Sequence, residues 1–224
     1  ASSTGVIEAA VQFDVSNSGT VKFSPDGSSI AVLRDDNVIQ LFSASDGTPQ
    51  IELAGFDGDL SGFIYAADGR SMAAVVDNTN IAVFDSATAS ISFEDEYSNP
   101  IIGYDFSADG DAIAIGTRQN IEIALFDSPQ KQTSQTGVTS LDWSADGTMI
   151  VISNGRSVSV LDIADNVIEN TNTLDTSGAA IVDIYVSPDG TSIAGITVDA
   201  ELVMISAESG SVVWQTALEV EDVD

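Results

Sequence analysis

One ten-residue phrase occurs five times along the chain, and this repetition limits the available folds more than any other feature. The phrase reads FSPDGSSIAV from Phe23 and returns in variant form as YAADGRSMAA, FSADGDAIAI, WSADGTMIVI and VSPDGTSIAG. Its glycines are spaced 42, 41, 37 and 43 residues apart, at Gly27, Gly69, Gly110, Gly147 and Gly190. A nearly fixed period of this length indicates a repeat architecture in which each repeat is one supersecondary unit.

Each phrase lies in a module of four predicted strands. The segments are too short and too rich in β-branched residues for helices, and Gly, Asn and Asp separate them. Four antiparallel strands in about 40 residues is the spacing of a β-propeller blade. We therefore predict an all-β chain in which residues 1–224 form a single β-propeller domain. The five predicted four-stranded antiparallel blades lie approximately at 20–55, 62–95, 101–136, 138–173 and 181–217.

The two ends of the chain supply one more fourth strand than five blades need. Residues 6–13 have the character of a fourth strand, and the last module also contains its own. Either segment could close the ring, the surplus strand could add to a sheet edge of another chain, or the chain could form part of a larger ring. Because five blades lie within the usual range for propellers, we predict a closed five-bladed ring with a surplus terminal strand and an acidic tail at 218–224.

The modules resemble degenerate WD repeats, in particular the Ser-Pro-Asp-Gly variety that is common in prokaryotes. The resemblance rests on the five phrases and covers nearly the whole chain. The chain departs from the classical repeat because it has no Gly-His dipeptide, and Phe84-Asp85 and similar pairs replace Trp-Asp. The resemblance implies a non-catalytic scaffold that presents its loop faces to protein partners.

A turn between the first and second strands explains the phrase itself. Ser can bond the backbone ahead, Pro presets φ, Asp tolerates the third position, and Gly accepts the left-handed conformation that follows. The predicted structural turn residues are Asp26, Gly27, Asp68, Gly69, Asp109, Gly110, Asp146, Gly147, Asp189 and Gly190. Two apolar residues of each first strand, such as Val21 and Phe23, share one face and should pack between adjacent blades.

The acidic side chains of these turns do not predict a metal site. A specific Ca²⁺ site needs about six to eight oxygens that converge on one point, whereas blade geometry would spread the five turn aspartates widely. Two acidic loops, DGDLSG from Asp57 and DEYSN from Asp95, complete no known calcium-loop spacing either. We expect no bound metal and no cofactor, only diffuse association of K⁺ or Na⁺.

Two groups of charged residues are candidates for function. If the first strands line a central channel, Lys22, Asp105 and Asp142 would lie on its wall, where Lys22 could contact a carboxylate or each group could simply be solvated. Arg34, Arg118 and Arg156 occupy hairpins between second and third strands, on the face opposite the turns. They could form a patch that binds an acidic partner or a carboxylate, or pair locally, as Arg34 could with Asp35 and Asp36.

The charge balance of the chain points to a particular environment. Asp and Glu number 35 against 6 Lys and Arg, which gives a formal net charge of −29. Such self-repulsion weakens a compact state at low salt, whereas molar salt shortens the Debye length to about 3 Å. The composition resembles that of proteins from extremely halophilic archaea or their viruses. Direct binding to nucleic acid is not expected, because contacts to phosphates need clustered Lys and Arg.

The absence of whole residue types narrows the chemistry. The chain has no His and no Cys, which excludes His-based acid–base catalysis, Ser–His triads and thiolate chemistry. We therefore expect a non-enzymatic protein–protein interaction scaffold within a larger assembly, without membrane insertion. We expect a cytoplasmic location in a salt-accumulating halophile; a virion or extracellular location is the alternative. A carboxylate-dependent, glycosidase-like enzyme and a structural subunit of a halophilic virus particle are the alternative functions.

Overall fold

The computed structural model describes residues 20–126, 131–134, 137–155, 157–174 and 180–218. Within these ranges, twenty strands form five four-stranded sheets, and every paired strand is antiparallel to its neighbour. This confirms the prediction of an all-β chain built from four-stranded antiparallel sheets. The described residues contain no helix that is long and apolar enough to cross a lipid bilayer. The chain divides into two compact units, with the boundary between Glu96 and Tyr97, and ring closure stays a prediction.

Unit 1 contains the sheets of the first two modules, and in each sheet consecutive strands are hydrogen-bonded neighbours. Sheet 1 consists of β1 (Val21–Phe23), β2 (Ser29–Leu33), β3 (Ile39–Ser43) and β4 (Pro49–Leu53). Sheet 2 consists of β5 (Leu60–Tyr65), β6 (Ser71–Val76), β7 (Asn80–Asp85) and β8 (Ile91–Glu96).

Unit 2 contains the sheets of the remaining three modules, with the same strand order. Sheet 3 consists of β9 (Ile101–Phe106), β10 (Ala112–Thr117), β11 (Ile121–Leu125) and β12 (Lys131–Ser134). Sheet 4 consists of β13 (Ser140–Trp143), β14 (Met149–Ser153), β15 (Val158–Ala164) and β16 (Val167–Leu174). Sheet 5 consists of β17 (Ile181–Val186), β18 (Ser192–Thr197), β19 (Glu201–Ser206) and β20 (Val212–Ala217).

The repeated phrase forms the same turn in all five modules. In the first module the amide of Gly27 donates to the carbonyl of Ser24 at 2.8 Å, and the other four turns have the equivalent bond at 2.8 or 2.9 Å. The five turn glycines have φ between 70° and 76°. This left-handed conformation is nearly free of steric cost only for glycine, which is why the residue recurs at this position.

The sheets of one unit pack face to face through alternating apolar side chains. In unit 2, Leu141 and Trp143 of sheet 4 are buried against Ala114 and Ile123 of sheet 3. The packing is so close that a Cβ atom at Gly116 would lie 2.8 Å from Leu141 Cδ2. In unit 1, a second cluster joins residues of sheets 1 and 2 and includes Leu33, Leu41, Phe63, Met72 and Phe84.

The expected burial of the first-strand apolar pair is found in some modules and not in module 1. Trp143 is only 5% exposed to solvent, whereas Phe23 at the equivalent position of module 1 is 65% exposed. Val21 is also exposed. The prediction that Val21 and Phe23 pack between sheets is therefore wrong for the described structure. Trp143 is covered by the sheet of the preceding module, and module 1 is the first of the five.

Candidate interaction surfaces

The turn aspartates direct their carboxylates back into their own turns. Asp26 accepts hydrogen bonds from Ser24 Oγ at 2.6 Å and from the Ser28 amide at 3.0 Å, and the bond from Ser24 lowers the pKa of Asp26 most, to about 2. Asp146 accepts the equivalent bonds from Ser144 Oγ at 2.7 Å and the Thr148 amide at 3.0 Å. Within the described ranges, no group of three or more acidic side chains is arranged to hold a metal ion.

Two of the predicted channel-lining residues link neighbouring sheets in unit 2. Asp105 of β9 accepts a hydrogen bond from the amide of Trp143 in β13 at 2.9 Å. Asp142 of β13 accepts one from the amide of Val186 in β17 at 2.6 Å. Each carboxyl group thus ties the first strand of its module to the first strand of the next. We call these two contacts the carboxyl clasps.

Lys22 has no such role. It is exposed on β1, and it forms no salt bridge with any carboxylate in the described part of the chain. The predicted contact between Lys22 and a carboxylate is therefore not found. Lys22 and Ile64 occupy the positions that Asp105 and Asp142 hold in later modules, and neither side chain has an oxygen to accept the bond. A side-chain clasp of this kind is thus chemically impossible for the first strands of modules 1 and 2.

A third carboxyl group lies beside the clasps. Burial raises the pKa of Asp142 and the nearby charge of Asp183 raises it further, whereas hydrogen bonds from the clasp amide and with the Asp105 side chain lower it. Asp183 accepts a hydrogen bond from Ser140 Oγ at 2.8 Å. Glycosidases use two facing carboxyl groups, one of which has a raised pKa. In this chain, main-chain amides donate to Asp105 and Asp142, and the Ser140 hydroxyl donates to Asp183. This is the arrangement of a structural link.

Arg34 and Arg118, two of the three arginines proposed as a patch, have different surroundings. Arg34 Nη2 lies 2.6 Å from Asp36 Oδ2, and Arg34 Nη1 lies 3.1 Å from Glu52 Oε1. This is the local pairing that the sequence suggested as an alternative for Arg34. Arg118 is exposed in the β10–β11 hairpin and forms no salt bridge within the described ranges. Arg156 lies outside the described residues, so the patch stays a prediction.

Unit 1 contains a groove of about 480 Å³ between the segment that follows β4 and the outer strands of sheet 2. Its floor is apolar and includes Phe56, Ala82, Phe84 and Ile91, of which Ile91 retains 53% of its exposed surface. Four carboxylates stand around this floor, and we call the whole site the acidic groove. They belong to Asp57, Glu94, Asp95 and Glu96.

The wall of the acidic groove is held in place by contacts within unit 1. Phe56 stands edge-on against Phe84, with ring centroids 5.2 Å apart and planes at 79°. The following loop is tied to the β6–β7 turn, because the amide of Asp59 donates to Asp77 Oδ1 at 2.9 Å and the amide of Asp77 donates to the Asp59 carbonyl at 2.9 Å. Gly58 passes so close to Asp77 that a Cβ atom there would lie within 2.3 Å of its carboxylate.

The groove brings together sequence features that are far apart in the chain. Asp57 belongs to the acidic loop DGDLSG and Asp95 to the acidic loop DEYSN, each noted separately in the sequence. Sequence reasoning missed the apolar floor, because Phe56 and Ile91 stand outside the repeated phrase and have no distinctive spacing. The three consecutive acids Glu94, Asp95 and Glu96, which follow Ile91 in the same predicted strand region, were the available signal.

Sheet 5 exposes a second apolar surface. Trp214 on β20 retains 43% of its exposed surface, and Val198, Val213 and Leu218 are also exposed. The amide of Leu218 donates to the carbonyl of Ala200 at 2.8 Å, which places Leu218 beside the β18–β19 turn that carries Val198. Among the described strands β20 pairs only with β19. We call these four side chains the sheet 5 patch.

Comparison with known proteins extends these observations. No protein-family model matches the chain. A stretch of 76 residues, 33% of the chain, is 38% identical to a 66 kDa stress protein of Physarum polycephalum and spans 13% of that protein's length. Among solved structures, the β-propeller domain of Cps50 (Swd1) from Myceliophteria thermophila superposes with a TM-score of 0.68 at 13% identity. The superposition covers 83% of this chain and 64% of that domain. At this identity the likeness shows the fold alone, and that fold is a WD-repeat-like β-propeller.

Proposed function

We propose that this chain is a non-catalytic protein-interaction module that acts in a high-salt environment and presents its exposed strands to partners in a larger assembly. The sheet 5 patch carries the proposal. Trp214 and Val213 are both exposed on β20, which pairs only with β19 among the described strands. Exposed apolar and aromatic side chains that lie together favour contact with another protein. In this proposal the five sheets serve as the blades of one closed propeller.

The high-salt part of the proposal is supported by the charge balance. With 35 acids against 6 bases, the folded chain concentrates negative charge that dilute buffer does not screen. We propose that the protein works in the cytoplasm of a salt-accumulating halophile, with a virion or extracellular location as the alternative. In this environment K⁺ or Na⁺ would associate diffusely with the carboxylates.

Urea unfolding at several KCl concentrations tests the salt dependence. Raising KCl from about 0.1 M to about 1 M shortens the Debye length from about 10 Å to about 3 Å, so the urea midpoint should rise steeply over this range. The control repeats the same urea and KCl series at low pH, where the carboxylates are protonated. A midpoint that does not change with KCl at neutral pH would contradict the high-salt proposal.

Capture of partners tests the interaction function. The whole chain, biotinylated at an added terminal tag, is incubated in about 1 M KCl with lysate of the source organism, and retained proteins are identified by mass spectrometry. Unlabelled chain should compete for the retained partner, and Trp214→Ala should reduce its capture. Ile102→Ser, which changes a comparably exposed residue on β9, is the matched control. Absence of any competed partner would overturn the proposal, and equal capture by Trp214→Ala would exclude the sheet 5 patch.

A further inference from the structure

We propose that the acidic groove of unit 1 binds a short extended segment of a partner protein, with one apolar anchor side chain and lysine or arginine two to four residues from it. This rests on the proposed interaction function and names the chemistry of one partner. The inference combines three properties of the groove: a gradient of polarity along its length, the charge of Asp57, Glu94 and Glu96, which have no partner among the described residues, and a wall held in place by hydrogen bonds.

The gradient of polarity follows from the pairing of β7 with β8. Along the groove face, Phe84 pairs with Ile91, Ala82 with Glu94, and Asn80 with Glu96. One end of the groove is therefore apolar and the other acidic. Because a strand rises about 3.4 Å per residue, the four steps from Phe84 to Asn80 span about 14 Å, and an extended segment would cover this distance in about four steps as well. If the apolar anchor of the partner segment binds at the apolar end, a residue two to four positions further along the segment lies beside the acids.

Three carboxylates of the groove have no partner among the described residues. Asp57, Glu94 and Glu96 accept no hydrogen bond and form no salt bridge within the described ranges. None of the described residues that line the groove is a lysine or an arginine. A cationic side chain would gain direct contacts there and would relieve repulsion among the acids, whereas an acidic segment would add to it. Charge complementarity thus favours lysine or arginine in the bound segment.

The apolar floor distinguishes this site from a place where small cations gather. Ile91 is 53% exposed over the floor that Phe56 and Phe84 form, so an apolar anchor would remove hydrophobic surface from water. The loop that carries Asp57 is already tied to the β6–β7 turn. A preformed wall reduces the ordering cost of binding. In strong salt, where charge is screened, the anchor should supply most of the affinity.

Titration of the whole ¹⁵N-labelled chain with defined peptides tests the inference, in about 1 M KCl. The probe is acetylated and amidated Gly-Leu-Ser-Lys-Ser-Lys-Gly. One control peptide replaces Leu with Ser, and another replaces both Lys with Glu. We expect saturable shifts of the Phe56, Phe84 and Ile91 amides with the probe. The Leu-to-Ser peptide should bind at least about tenfold more weakly, because it lacks the anchor. The Lys-to-Glu peptide should bind about twofold to fivefold more weakly, because salt screens the charge contacts that it loses.

Variants of the protein locate the site. Ile91→Ser should weaken probe binding about threefold to tenfold, and the double variant Glu94→Gln and Glu96→Gln about twofold to fivefold. Ile102→Ser and Glu208→Gln make comparable chemical changes at exposed positions of unit 2 and should leave binding unchanged. The dispersion of each variant's amide spectrum shows whether it is folded before the titration is interpreted.

Three results would overturn the inference: no binding of the probe, shifts confined to residues outside the groove, or equal binding of the Lys-to-Glu peptide. Probe binding that is unchanged in folded Ile91→Ser would do the same. If the chain still captures a partner from lysate in any of these cases, only the groove assignment fails and the interaction function stands. If no partner is captured at all, the proposed function itself fails.

Discussion

The clasp at Asp142 allows a stability prediction in which two variants of one residue give different results. Asp142→Ala removes the acceptor of the Val186 amide, 2.6 Å away, and leaves that donor without a partner in a partly buried place. An unsatisfied group of this kind costs about 1–3 kcal/mol. For a chain of this length, about 2–4 °C per kcal/mol corresponds to a melting temperature roughly 2–12 °C lower.

Asp142→Asn should behave differently. Its amide oxygen can still accept from Val186, and its nitrogen can donate to Asp105, while the charge that burial disfavours is removed. At neutral pH this variant should be as stable as the parent protein or more stable. The comparison therefore separates loss of the hydrogen bond from loss of the charge.

The difference in stability between Asp142→Asn and the parent protein should change with pH in one direction. The folded-state pKa of Asp142 is raised above the unfolded value of 3.8, so its favourable contribution is fully present below that value and is lost as pH rises through the folded pKa. The stability of Asp142→Asn relative to the parent should therefore increase across this window. Carboxylates that do not interact with Asp142 are common to both proteins and cancel in the difference.

Urea unfolding of the three proteins between about pH 3 and about pH 8, in about 1 M KCl, measures these quantities. Equal destabilisation by Ala and Asn at neutral pH would show that the oxygen of Asp142 does not hold the Val186 amide. A difference between Asn and the parent that does not vary with pH would show that burial does not disfavour the charge.

Three further predictions concern the turns and the sheet contacts. Gly147→Val should destabilise the fold by about 1–3 kcal/mol because φ at this position is 75°. Gly116→Ala should destabilise it by a similar amount because its Cβ would lie 2.8 Å from Leu141 Cδ2. A variant that melts at the same temperature as the parent protein would contradict the reason given for it. Asp26 has a pKa lowered to about 2 by the Ser24 hydroxyl, so its contribution is present above pH 3.8 and is lost as pH falls toward about 2. Asp26→Asn should flatten this part of the acid-unfolding curve, and a parallel decline in both proteins would exclude Asp26 as its source.

The repeated phrase was sufficient to predict the class of fold. Its period set the number of modules, and its Asp-Gly turn marked where the first strand of each module ends. These features are local: a type I turn followed by a left-handed glycine depends on four consecutive residues, and strand alternation depends on residues two positions apart. The sequence therefore predicted the four-stranded sheets, and with them the propeller-like fold that the comparisons support.

The candidate sites required the tertiary structure. Asp105 and Asp142 stood in the sequence as charges on a strand, and only the packing of adjacent sheets showed that they bind amides 38 and 44 residues away. Phe23 and Trp143 occupy the same place in the phrase and differ in exposure because only Trp143 is covered by another sheet. Asp57 and Glu94 meet at one groove because the segment after β4 folds against sheet 2. The repeat thus determined what each module is, whereas contacts between modules, which depend on residues distant in the chain, decided which side chains remain available to a partner.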